Sequence, residues 1–287
     1  MLQPEMRSSI GRKAGERIMT NRDEKNLMTK KDLEGLIEGI CPSGIQEDWD
    51  NCGWQVKTPS NPADTVLVAL EVTGDVILEA EKAGAHVILT HHPLLFGGMK
   101  KITEEDPAGA FVLELIRKNI SVYSCHTSFD KLAGGNNDYL GEVLGLKEVR
   151  QPGEEPFFRT GRIEPAVTLG AFRRNAAEKL EIDPSFIRLC GSPERMVTKA
   201  GWCTGSGASF LEEALAEGCD LFITGDLKYH DAQFAQAKGI AVMDAGHYGT
   251  EKIFVPNMAR KLEDAAADAG KTLRIVKSAV DINPFSC

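Results

Sequence analysis

Three things are missing from this sequence of 287 residues. None of its seven cysteines stands in a C-x-x-C pair, which argues against a thiolate zinc finger. No apolar run approaches the roughly 20 residues needed to span a bilayer, and residues 1–26 lack the apolar centre of a signal peptide. No run of Lys and Arg exceeds two residues, and the net charge is −9. A general nucleic-acid binder needs a basic stripe to displace condensed counterions, so that class is not expected. One phosphorylated small molecule held by one or two cations stays compatible with this charge. The odd, scattered cysteine count fits reduced thiols in the cytoplasm. Residues 1–26 are polar and mixed in charge, with Met19 and Met28 nearby, and are read as a disordered extension or a misplaced start.

What is present is ordinary globular material, 42% apolar and 26% charged, long enough for one large or two smaller domains. Thr29-Lys30-Lys31-Asp32 resembles a capping box and precedes Leu33, Leu36, Ile37 and Ile40 at helical spacing. Short continuous apolar runs then alternate with amphipathic stretches. Strands are expected at 65–70, 87–90, 120–124, 186–190, 196–202, 221–224, 240–244 and 272–276. Helices are expected near 75–83, 108–118, 167–180, 210–217, 231–238 and 253–267. Strands without polar alternation are covered on both faces, which is an α/β pattern. Pro152, Gly153, Pro156 and Pro165 mark a connection over 151–165. The expectation is two facing α/β lobes, 27–150 and 166–287, that form one compact unit.

The chain has six histidines, and four fall in short clusters directly after apolar strands. The clusters are Thr90-His91-His92-Pro93, His126-Thr127-Ser128-Phe129-Asp130 and His247-Tyr248-Gly249-Thr250-Glu251. In open α/β sheets, ligands collect beyond the carboxyl ends of strands, so these side chains are expected to meet in the cleft between the lobes. His126/Asp130 and His247/Glu251 are four apart, and on a helical turn such pairs share a face. Four imidazoles and two carboxylates exceed what one tetrahedral ion uses. The natural count is two divalent ions per chain, and mixed N and O donors suit Zn, Mn, Fe or Co without choosing among them. His86 reads as a packed or capping residue. His230 reads equally as a plain helix-start residue or as a group behind the site. Gly205-Ser206-Gly207 reads as a strand-to-helix turn or as free helix-start amides that could hold an anion, without the lysine of a P-loop. Gly134-Gly135-Asn136-Asn137 reads first as a turn with Asn capping the next helix. Both are expected on the rim of the same cleft.

At these residues the chain resembles the Nif-three-like proteins, often labelled GTP cyclohydrolase 1 type 2 homologues. The resemblance runs from about Lys31 to Asp281. It is carried by Asp50-Asn51-Cys52-Gly53-Trp54, by the three histidine clusters and by Gly134-Gly135-Asn136-Asn137-Asp138. Cys203-Thr204-Gly205-Ser206-Gly207 and Thr224-Gly225-Asp226 complete it. The resemblance implies a two-lobed fold with a dinuclear metal centre held by His91, His92, Asp130, His247 and Glu251, with His126 at the site or just behind it. It also implies a toroidal homohexamer whose metal sites face an internal cavity. The short connection corresponds to the compact form without an inserted domain. Glu71 stands where relatives tend to have Asp.

Two functions are expected on these grounds. One is a metal-dependent hydrolase acting on a small anionic metabolite, with a nucleotide, as in GTP cyclohydrolysis, suggested by the family label alone. There Glu251 or Asp130 would bridge the ions, and His126 or His230 would shuttle a proton. The other is a non-catalytic metal-binding scaffold or a protein-interaction and regulatory protein, in which the ions serve stability. A DNA-interacting ring gets little support from the net charge.

Overall fold

The computed structural model of the chain describes residues 28–59 and 62–286; the expectation for residues 1–26 lies outside them. Ordered structure opens with helix α1 (Lys30–Ile40), where Thr29 and Asp32 form the expected reciprocal cap. The first sheet has the order β1 (Gly53–Val56), β4 (Ser121–Ser124), β3 (Val87–Thr90), β2 (Thr65–Ala69), β11 (Arg274–Lys277). All its pairings are parallel except that of β1 with β4. Every residue of β2, β3 and β4 is buried, which explains why they read as unbroken apolar runs. One face packs on α2 (Gly74–Ala83) and α3 (Pro107–Lys118) through Val76, Ile77, Val112 and Leu115. The other packs on α1 and the long C-terminal helix α10 (Phe254–Asp268) through Leu33, Ile37, Met258 and Leu262.

The short helix α4 (Thr127–Lys131) and helix α5 (Asn136–Leu144) lead into the second sheet. Its order is β5 (Lys147–Arg150), β6 (Arg159–Thr168), β8 (Met196–Trp202), β9 (Leu221–Thr224), β10 (Ala241–Asp244), β7 (Arg188–Cys190). Only β8, β9 and β10 run parallel to one another. Helices α5 and α6 (Leu169–Leu180) cover one face around Trp202. Helices α7 (Leu211–Ala216) and α8 (Tyr229–Lys238) cover the other around Phe222. A short helix α9 (His247–Glu251) follows β10.

Two boundaries differ from the sequence reading. The connection at 151–165 ends at 158, because β6 already begins at Arg159 and pairs along β8. Pro165, which suggested a linker, lies where the β6–β8 register shifts between Arg162 and Val167, a place where a strand tolerates proline. The division into 27–150 and 166–287 does not follow the sheets either. Strand β5 pairs with β6 in the second sheet, and the chain returns through α10 and β11 to the first. Strand pairing between β11 and β2 joins residues that are distant in sequence, and no local pattern announces it.

Candidate metal centre

The carboxyl ends of the two sheets supply the site. Strands β2, β3 and β4 are adjacent, with Ala69 opposite Thr90 and Thr90 opposite Ser124. The residues just past them, Glu71, His91, His92 and His126, therefore emerge along one edge. In the second sheet, Trp202 lies opposite Ile223 and Thr224 opposite Asp244. The turns beyond deliver Gly205, Asp226 and His247 along the facing edge.

Three imidazoles converge on one carboxylate. Glu251 Oε2 lies 2.8 Å from His92 Nε2, 2.9 Å from His247 Nε2 and 3.8 Å from His91 Nε2. Asp130 Oδ1 is 3.5 Å from His91 Nε2. The possible ligand atoms form two overlapping groups, each within 4.8 Å: His91, His92 and His126, and His92, His247 and Glu251. The His126 and His91 rings are 5.2 Å apart between centroids. His126 thus stands beside the other imidazoles. His230 does not join them: it is exposed on the first turn of α8, with its ring against Tyr229.

Each imidazole is held from behind. His91 Nδ1 donates to the Cys125 carbonyl at 2.8 Å, and His126 Nδ1 donates to Asp50 Oδ1 at 2.8 Å. His247 Nδ1 donates to Asp226 Oδ2 at 2.7 Å, while His92 Nδ1 lies 3.5 Å from Glu71 Oε2. Engaging Nδ1 this way leaves Nε2 as the ligand atom and fixes the ring plane, as around bound metals. Asp50 is itself fixed by the Thr127 amide at 3.0 Å and hydroxyl at 2.5 Å.

The electrostatics follow from packing acids and bases together under cover. Glu251 is 4% exposed; burial alone would raise its pKa, but the three imidazoles hold it well below the usual carboxylate range. Burial opposes charge on His92, yet the Glu251 and Glu71 carboxylates outweigh it and raise the pKa to about 10. The Glu251 hydrogen bond raises His247 to about 9 against its own burial. Burial raises Asp130, with His91 offsetting part of the effect. Burial opposes charge on His91 as well, but Asp130 and Glu251 move it upward.

The arrangement fits a divalent metal on the chemistry of its donors: nitrogen and carboxylate oxygen, no sulfur, and imidazoles already aimed inward. A second observation agrees. Asn136 is fully buried beside Asp130, and its Oδ1 has no hydrogen-bond partner. Glycine makes the space. A Cβ on Gly205 would overlap Glu251 Oε1, and Gly205 has φ +63. A Cβ on Gly225 would meet the His247 amide nitrogen at 2.5 Å.

Sequence reasoning gave no role to Asp50 or Asp226 and placed Gly205 and Asn136 only in turns on the cleft rim, although each stands in a motif that carries the resemblance. Glu71 and Asp226 could have been found by considering the residues immediately after β2 and β9, the strands adjacent to those that carry the histidines. Asp50 precedes its strand and had no such signal.

Comparison with known proteins agrees with this fold. The family model described as Duf34/NIF3 (NGG1p interacting factor 3) matches residues 28–284. A protein of Clostridium acetobutylicum named GTP cyclohydrolase 1 type 2 homolog is 36% identical over 262 residues, covering 89% of this chain and 97% of its own length. One of the same name from Streptococcus pneumoniae is 31% identical and covers 90% and 99%. Among solved structures, a hypothetical protein of Staphylococcus aureus superposes with a TM-score of 0.86 at 24% identity, over 91% of this chain and 99% of that one. With the family model spanning nearly all of the described residues, the chain belongs to the Duf34/NIF3 family.

Proposed function

We propose that this protein is a dinuclear-metal-dependent hydrolase acting on a small metabolite. The observation that supports this reading is the convergence of the His91, His92 and His247 Nε2 atoms on Glu251 from two facing sheets. His91, His92, Asp130, His247 and Glu251 would hold two divalent ions, of Zn, Mn, Fe or Co. When bound, such ions lower the pKa of a water and polarise the bond under attack. The remaining work belongs to side chains. Asp50 orients the His126 ring through Nδ1, so His126 is suited to take and return a proton at Nε2. The outer acceptors on His91, His92 and His247 keep the donor set preorganised.

The nucleotide expectation rests on the names of the relatives, which are GTP cyclohydrolase 1 type 2 homologs. A homohexamer belongs to the same reading and is supported by exposed Trp49, Phe96, Ile102 and Ile116 on the first lobe; its mass in solution tests it. A cytoplasmic setting is supported by the six unpaired cysteines among the described residues. Among those residues no helix is long and apolar enough to cross a membrane.

The test is elemental analysis of protein purified without chelator, beside the His91→Ala/Glu251→Ala double variant. About two ions per chain, absent from the variant, are expected from the donor count; no metal after loading with Zn, Mn or Fe would sink the proposal. Metal retained without hydrolysis across a panel of nucleotides, amides and esters would favour the scaffold.

A further inference from the structure

A cavity of about 690 Å³ opens beside the histidines and has His92 and His247 in its wall. That volume is in the range of sites for small organic ligands, roughly 300–1,000 Å³. Its apolar lining comes from Ile182, Phe186 and Tyr248, together with Ile282, Pro284 and Phe285 of the C-terminal tail. Ile282 in the tail and Tyr248 in α9 both pack against the first-lobe core, so the tail wall and the donor helix share one support.

The charge of this wall is lopsided. Beyond the His92 and His247 imidazoles at its metal end, its charged groups are the Glu71, Asp226 and Asp244 carboxylates and the Arg188 guanidinium. That guanidinium is already engaged: its Nε donates to Asp244 Oδ2 at 3.0 Å and its Nη2 to the Leu227 carbonyl at 3.0 Å. Glu71 and Asp226 stand behind His92 and His247 and still keep 44% and 51% of their side chains exposed. A chain of phosphates laid along the wall beyond the metal end would meet carboxylates with no unengaged guanidinium to offset them. A flat or aliphatic body would lose water against Phe186, Ile182 and Phe285 at no electrostatic cost.

We infer that this cavity receives the body of the substrate and selects a neutral or cationic, ring-sized apolar group, leaving a polyphosphate tail outside. The inference rests on the metal-centre reading above, because it assigns the substrate's electron-rich oxygen to the His92 and His247 end. Phe285 is the specificity-determining residue it names, and the Glu71 and Asp226 carboxylates set the charge preference.

The test is calorimetric binding of a hydroxamate series to the zinc-loaded protein. Acetohydroxamate reports the metal end alone. Benzohydroxamate adds a ring, and its para-carboxy and para-aminomethyl forms add a charge of either sign. Benzohydroxamate is expected to bind about tenfold tighter than acetohydroxamate, from ring burial. The para-carboxy form should lose most of that gain, and the para-aminomethyl form should keep or exceed it. Phe285→Ala, at a side chain that is 74% exposed, should cut the ring's gain about threefold and leave acetohydroxamate unchanged; a chain ending at Asp281 should remove more. Zinc retained with equal affinity for acetohydroxamate and benzohydroxamate, or with the para-carboxy form tightest, overturns the cavity assignment alone. No retained zinc and no hydroxamate binding overturns the metal reading and this inference with it.

Discussion

The two sheet edges that meet at the site solve the same problem in different ways. The first-sheet edge supplies three imidazoles from the ends of two neighbouring strands, and His91 there is fully buried. The second-sheet edge supplies one imidazole and one carboxylate from a single five-residue helix, and room for them through glycine at 205 and 225. The first edge is a fixed array set by strand register. The second depends on backbone space. Substitutions on the first should therefore change which atoms are present, and those on the second should change where they are.

The largest effect is expected at Glu251, the carboxylate that touches histidines from both edges. Glu251→Ala should abolish metal retention, and it would leave His92 and His247 without the carboxylate that raises them, beside a vacated buried space. In the metal-free state we expect a cost of about 3 kcal/mol in urea unfolding. Unchanged metal content would contradict the role of this residue. Gly205→Ala comes next. It asks a side chain to occupy the space of Glu251 Oε1 at a positive φ, so we expect a loss of about 2 kcal/mol and displaced Glu251. If Gly205→Ala binds metal as the natural chain does, backbone space does not govern the second edge.

The outer acceptors sharpen the contrast. The Asp50 side chain is fully buried behind His126, whereas that of Asp226 is 51% exposed behind His247. Losing an outer partner costs roughly 10–100-fold in metal affinity or activity. Asp50→Asn should lie near the upper end, seen as lost turnover with metal retained, and Asp226→Asn near the lower end, seen as weaker metal affinity. Equal effects would erase the distinction between the two edges.

The smallest effect is a proton count. His92 and His247 have pKa values near 10 and 9 in the metal-free chain, above the ordinary value of 6.5. Their pairing with Glu251 thus supports the fold fully below pH 6.5, and that support is lost as pH rises through 9 to 10. At pH 8 both carry a proton that a metal must displace, so metal uptake should release up to about two protons and weaken as pH falls. Calorimetry in buffers of different ionisation enthalpy measures the release; none at pH 8 would mean the histidines are neutral before metal arrives.

Much of this was legible because the strands are short and buried on both faces. Strands 87–90, 196–202 and 221–224 emerge with the bounds expected from their apolar runs. The histidines after the first of these, and after 120–124 and 240–244, could therefore be placed at strand ends. What could not be read was pairing between distant segments. Strand β5 is exposed throughout and carries no apolar signal, and β1 is a four-residue edge strand. Asp50 and Asn136 act through contacts across the fold, and a single sequence gives no sign of what an aspartate or asparagine will face.

The return of the chain to its first sheet governs the order in which the molecule can be made. Strand β2 waits for β11, more than 200 residues later in synthesis, whereas β8, β9 and β10 find their partners within about 45 residues. The second lobe can therefore mature while the chain is still being translated. The first lobe carries an unpaired, largely apolar strand edge at β2 until the last helix and strand are released. Slow ribosomal release or loss of the C-terminal strand should thus show as aggregation nucleated in the first lobe, with the second lobe already folded.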